Sequence, residues 1–181
     1  MSQPFKAAVV QAAPVLFDTP RTIEKLADLV HDAAHQGAEL VVLPEAFVGG
    51  YPKGLDFGAR LGMRSPEGRE DFRRYFASAI EMAGPEAERL AAVARDNGVH
   101  LVTGAIERDG GTLFCSTLTY GPTGALLSKH RKLMPTALER LVWGFGDGST
   151  IGVAETPLGR IGSVICWENY MPLLRMAMYA Q

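Results

Sequence analysis

Leu40-Val41-Val42-Leu43-Pro44-Glu45 is a short, fully apolar run that stops on a proline and a carboxylate. Unbroken apolarity, without polar alternation, is the pattern of a strand covered on both faces. Before it, residues 19–36 place Ile23, Leu26, Ala27, Val30 and Ala34 at the spacing of an amphipathic helix, which Gly37 ends. Further back, residues 5–11 form a β-rich run. Strand, helix, strand in that order predicts a parallel pair with a covering helix, so the chain reads as α/β.

The pattern continues downstream. Gly49-Gly50-Tyr51-Pro52-Lys53-Gly54 is loop chemistry, and Phe72, Tyr75, Phe76, Ala79 and Ile80 follow with helical spacing. Gly84-Pro85 opens a helix over residues 86–97 that Gly98 closes. Residues 99–106, 112–120 and 125–127 read as strands, with Asp109-Gly110-Gly111 and Gly121-Pro122-Thr123-Gly124 as the turns between them. A further strand pair, 152–156 and 159–165, is joined at Pro157-Leu158. Leu173, Leu174, Met176, Ala177, Met178 and Tyr179 begin a buried helix with no glycine, proline or polar cap after it. The expectation is therefore one domain over residues 1–181, incomplete on its C-terminal side, with an edge or face of its sheet uncovered.

Composition excludes several classes of function. With 181 residues, 47% hydrophobic and 21% charged, the chain can bury a real core. A net charge of −2 gives no reason to expect a nucleic-acid partner. No apolar run is long enough to span a bilayer, and the first 17 residues, broken by Gln11 and Pro14, do not read as a signal peptide. The two cysteines, Cys115 and Cys166, lie far apart, which favours free thiols in a reducing cytoplasm over a disulfide.

Three segments share one build, an apolar strand that runs into a reactive or charged group: Leu40 to Glu45, Leu126-Leu127 followed by Ser128-Lys129-His130-Arg131-Lys132, and Gly162-Ser163-Val164-Ile165-Cys166. A carboxylate, an ammonium and a thiol delivered by three strand ends point to one active site. The chemistry needs all three, because a free thiol is mostly protonated at neutral pH and requires a base or a nearby cation to become a nucleophile. Each residue also has a plainer reading. Cys115, in mid-strand, reads as a core residue; Glu139 with Arg140 could be a surface ion pair. Lys132 could belong to a solvated basic patch with Lys129, His130 and Arg131, although no aromatic residues interleave with it. His130 beside the lysine leaves open a papain-like Cys-His pair. His31 and His35, four apart with no third ligand, read as a solvated helix face and not a metal site.

Several blocks together resemble the nitrilase branch of the carbon-nitrogen hydrolase superfamily: Pro44-Glu45-Ala46-Phe47, Gly49 to Gly54, Lys129 to Thr136, Glu139-Arg140, Trp143-Gly144 with Gly146-Asp147-Gly148-Ser149, and Cys166-Trp167-Glu168-Asn169-Tyr170. The resemblance runs from Phe5 to the last residue and covers about the first half of a typical member. It implies a four-layer α-β-β-α sandwich and a Glu-Lys-Cys triad at Glu45, Lys132 and Cys166, with a second glutamate at Glu139 that holds Lys132 or positions substrate. Trp167, Glu168, Asn169 and Tyr51 become expected pocket residues, the first three also candidates for subunit contacts. The implied reaction converts a small organic nitrile to its carboxylic acid and ammonia without metal or organic cofactor, in an enzyme that assembles into dimers and longer spirals. An amidase, a carbamoylase, a cyanide-consuming relative and an inactive fragment are the alternatives. Tryptophan directly after the thiol looks more like nitrilases than amidases.

Overall fold

The computed structural model describes residues 4–59 and 64–181. Strands β1 (Ala7–Val9), β2 (Leu40–Val42) and β3 (His100–Asp109) pair in parallel, and β4 (Thr112–Tyr120) and β5 (Leu126–Arg131) extend the sheet antiparallel, in the order β1-β2-β3-β4-β5. Helix α1 (Thr19–His35) makes the crossover from β1 to β2 that the strand, helix, strand pattern predicts. Asp18 caps it by accepting from the Arg21 amide, and Gly37 at φ +85° turns the chain out of it. Helices α2 (Pro66–Ser78) and α3 (Pro85–Asn97) precede β3, and Gly98 closes α3 in the left-handed conformation.

One face of this sheet is a dry core. Ile23, Leu26 and Val30 of α1 pack with Leu90 and Ala94 of α3 against Val41, Leu101 and Leu118. Burying such side chains contributes roughly 1.5–3 kcal/mol each before entropy is charged against it. Central strand β3 is buried from its first residue through Glu107, as expected for a strand covered on both sides. Opposite the helices stands a second sheet, the hairpin β6 (Val153–Thr156) and β7 (Gly159–Gly162). A cavity of about 440 Å³ lies between the sheets, with Val42, Val102 and Thr117 on one wall and Ile161 and Val164 on the other.

The structure corrects three expectations. The segment leading to Cys166 is not a buried strand: β7 stops at Gly162, its residues are half-buried or exposed, and the thiol begins a 3-10 turn over Cys166–Tyr170. The terminal helix α4 (Pro172–Tyr179) buries only Leu174 and Met178, leaving Leu173, Met176 and Tyr179 exposed. Finally, β5 continues through Lys129, His130 and Arg131 instead of stopping at Leu127, so these side chains are ladder residues and not a surface run. Period-two alternation then divides them: Lys129 and Arg131 turn to the face of Glu107, and His130 to the opposite face. Glu107, itself buried, accepts from Lys129 Nζ at 2.5 Å, from Arg131 at 2.6 and 3.0 Å, and from Ser116 at 2.7 Å.

Candidate functional site

Glu45 follows β2 on a sharp turn. The next residue, Ala46, sits at φ +52°, and the turn presses on β3 where Gly104 has no side chain. A Cβ on Gly104 would stand 2.4 Å from Ala46 N and 2.7 Å from Glu45 Cα, so glycine is what allows the carboxylate to reach this place. Lys132 follows β5, its amide donating to the Cys115 carbonyl at 2.8 Å, and its side chain is 1% exposed. The ammonium donates to Glu45 Oε1 at 2.7 Å and to Glu139 Oε2 at 2.8 Å. Burial opposes its charge, but the hydrogen bonds it donates to Glu139 and Glu45 outweigh that and hold it well above the ordinary lysine range.

Glu139 is fixed from every side. It lies in a 3-10 turn (Ala137–Leu141) that opens on Ala137 at φ +49°. Its Oε2 also accepts from the Thr136 amide at 2.6 Å, and its Oε1 accepts from the Tyr51 hydroxyl at 2.5 Å. Burial pushes its carboxyl up; Lys132, the Thr136 amide and Tyr51 more than reverse this, so it stays ionised below the usual carboxylate range. Burial and the Glu139 bond keep the Tyr51 phenol protonated far above its ordinary value. The buried indole of Trp143 packs beside them, with Lys132 Nζ 5.5 Å from its centroid and Tyr51 edge-on at 5.7 Å. It is held by donating to the Tyr75 hydroxyl at 2.9 Å, which in turn donates to the Gly50 carbonyl.

Cys166 is exposed and lies at φ +54°. Non-glycine residues rarely adopt this region, and three of the five that do so among the described residues adjoin or form this site: Ala46, Ala137 and Cys166. The cavity between the sheets is lined by both Glu45 and Cys166, with Asn169 and Ser116 beside them. Lys132 and Glu139 stand behind Glu45. The site thus offers an exposed thiol on one wall and, on the other, a carboxylate whose Oε1 is tied to an ammonium.

With this geometry in view, the comparisons with known proteins are specific. Residues 6–181 match the carbon-nitrogen hydrolase family model. The chain belongs to that family. It is 59% identical over 97% of its length to the bifunctional nitrilase/nitrile hydratase NIT4A of Lupinus angustifolius, covering 50% of that protein. It is 58% identical over 98% of its length to an aliphatic nitrilase of Sinorhizobium fredii (strain HH103), covering 57% of it. The chain spans about half the length of the curated relatives it matches. Among solved structures, an amidase from Nesterenkonia sp. aligns over 97% of this chain and 60% of its own with a TM-score of 0.72 at 20% identity, which shows a common fold. The mixed sheet with its covering helices and the facing hairpin are the layers of that carbon-nitrogen hydrolase fold.

The residues expected at the site do not all arrive there. Glu45, Lys132 and Glu139 form one hydrogen-bonded chain, with Tyr51 attached to Glu139, and Asn169 joins Cys166 at the cavity, its Nδ2 donating to the Cys166 carbonyl at 2.8 Å. Trp167 is exposed and stacks on Tyr170 at 5.1 Å. Glu168 departs from its expected place: it is fully buried, its oxygens are occupied by His130 and by two backbone amides, and it does not line the cavity between the sheets. His130 is likewise enclosed, its Nε2 engaged by Glu168 and its Nδ1 buried without a partner among the described residues, so neither ring nitrogen bonds the Cys166 thiol as a papain-like pair would require. Sequence reading missed the position of Cys115, whose thiol donates to Glu45 Oε1 at 3.6 Å. Burial, then the charge of Glu45, pushes that thiol well up, which keeps it a donor. Only the β3-β4 register, Ile106 opposite Cys115, brings it there.

Proposed function

We propose that this protein hydrolyses organic nitriles to the carboxylic acid and ammonia through a covalent intermediate on Cys166. The observation that carries the reading is the shared cavity of Glu45 and Cys166, with the Lys132 ammonium buried 2.7 Å from Glu45. The names of the relatives from lupin and Sinorhizobium support the nitrile as substrate.

Glu45 accepts the Cys166 proton as sulfur attacks the nitrile carbon. That proton passes to nitrogen, giving a thioimidate in which a C–S bond has formed and one C–N π bond has gone. Lys132, locked between two carboxylates, needs no reorganisation to stabilise the charge that develops on nitrogen, and such preorganised donors are the most effective kind. Water, deprotonated by Glu45, adds to the thioimidate carbon. Expulsion of ammonia leaves a thioester, and a second water releases the acid and restores the thiol. Loss of sulfur instead of ammonia from the same tetrahedral species would release the amide, and the lupin relative's bifunctional name favours some flux by this route. Tyr51, Trp167 and Asn169 are the expected contacts for the substrate. Both thiols are free, which supports a reducing, cytoplasmic setting. The exposed Trp167, Tyr170, Leu173 and Met176 support contact between copies in a homo-oligomer.

The test is ammonia release from aromatic, arylaliphatic and aliphatic nitriles, with acid and amide products quantified. Release that Cys166→Ala abolishes supports the reading. Turnover of amides without turnover of any nitrile would overturn it in favour of an amidase.

A further inference from the structure

Glu168 and His130 take no part in the chemistry just described, yet they are among the most deeply buried polar residues of the molecule, 0% and 3% exposed. The Glu168 carboxylate accepts from the Leu133 amide at 2.8 Å through Oε1 and from the Ile165 amide at 2.7 Å through Oε2. Leu133 is the residue after Lys132, and Ile165 the residue before Cys166. One side chain therefore ties the two chain segments that carry the ammonium and the thiol. His130 closes the arrangement from β5, with Nε2 3.0 Å from both oxygens. Its other ring nitrogen, Nδ1, is buried without a partner among the described residues, so the ring's polar contact is spent wholly on the carboxylate. A lone buried carboxylate is costly, and one that receives three donors is held ionised. Burial pushes Glu168 up, but His130 and the amides of Leu133 and Ile165 bring it below the ordinary range. Cys166 needs such support because its backbone sits at φ +54°, a conformation that persists only where the surroundings enforce it.

We infer that Glu168 and His130 are positioning residues, a buried clamp that fixes where Cys166 stands relative to Lys132. Its chemical consequence rests on the function proposed above, but its geometry does not. The clamp acts on the approach of thiol and ammonium, so it is read in the reactivity of Cys166 itself, without any nitrile.

The experiment follows carbamidomethylation of Cys166 by iodoacetamide in the folded protein, by peptide mass, with buried Cys115 as an internal gauge of core opening. Glu168→Gln preserves size and removes the charge, and His130→Gln removes the ring. Each is expected to slow alkylation of Cys166 by at least about fivefold while Cys115 stays unreactive, because a thiol displaced from its place across the cavity from Glu45 loses the base that takes its proton. Lys132→Ala, which frees Glu45, should slow it too, and Glu168→Gln combined with Lys132→Ala should lose less than the two separate losses together, since both act on how Glu45 and Cys166 face one another. Cys166 rates within about twofold of the unaltered protein in both single variants, or fully additive losses in the double, would overturn the clamp. So would parallel exposure of Cys115, which marks a general loosening of the core. If Glu168→Gln does not fold, His130→Gln decides alone.

Discussion

Lys132 is the residue on which the electrostatics of the site turn. It is enclosed, and its charge is balanced by Glu45 and Glu139 at 2.7 and 2.8 Å. Lys132→Ala is expected to lower kcat/KM for a nitrile by about 10²–10³, the equivalent of ~3–4 kcal/mol for one lost transition-state donor. It also leaves the buried Glu139 and the half-buried Glu45 without their cation, so the thermal midpoint should fall with it. A loss of activity below about tenfold would mean that Lys132 only balances charge. That Lys132 would stand with Glu45 and Glu139 was legible in the sequence through the Lys129 to Thr136 block, but its burial was not. The same four letters, Lys129-His130-Arg131-Lys132, read equally well as a solvated basic patch until β5 sends alternate side chains to opposite faces.

At the scale of elements, the turn after β2 and the ladder of β5 decide where these groups stand. Gly104→Ala places a methyl against the backbone of Pro44, Glu45 and Ala46. Since backbone must move to admit it, the expected cost is about 1–3 kcal/mol in urea denaturation, with a further loss of kcat as Glu45 shifts. Unchanged stability and kcat would show that the turn has slack. On the other face, Glu107 is held at about 2: burial opposes ionisation, but Arg131, Lys129 and Ser116 prevail. A carboxylate depressed on folding stabilises the fold above its ordinary value of 4.5, and this stability is lost as pH falls towards 2. It amounts to roughly 3 kcal/mol. Urea midpoints between pH 7 and pH 3 should therefore fall steeply in the unaltered protein. In Glu107→Gln they should be lower at pH 7 and flatter; equal slopes would contradict the assignment. The elements themselves were legible, because the period of α1, the Pro85 and Gly98 punctuation of α3 and the unbroken apolar run of β2 are local signals. The contacts of Cys115, His130 and Glu168 were not, because each depends on strand register or on a turn geometry that no local pattern encodes.

At the scale of the molecule, two sheets face one another across the cavity that holds Glu45 and Cys166, and α4 leaves Leu173, Met176 and Tyr179 in solvent. If these residues join copies of the protein, Leu173→Asp should move the elution volume in size-exclusion chromatography, and the scattered-light mass with it, to a smaller species. The same mass for both proteins would place the contact elsewhere. The α/β layering expected from the sequence is present, since it follows from strands and helices whose apolar faces must be covered. On the proposed mechanism the exposed thiol on one wall of this cavity is the atom that bonds to substrate. Acid quenching during turnover of a nitrile, followed by mass analysis of the peptides, tests it directly. The account predicts a thioimidate or acyl adduct on Cys166 that is missing in Cys166→Ala and present in Cys115→Ala. An adduct on Cys115, or steady turnover with Cys166 never modified, would contradict it.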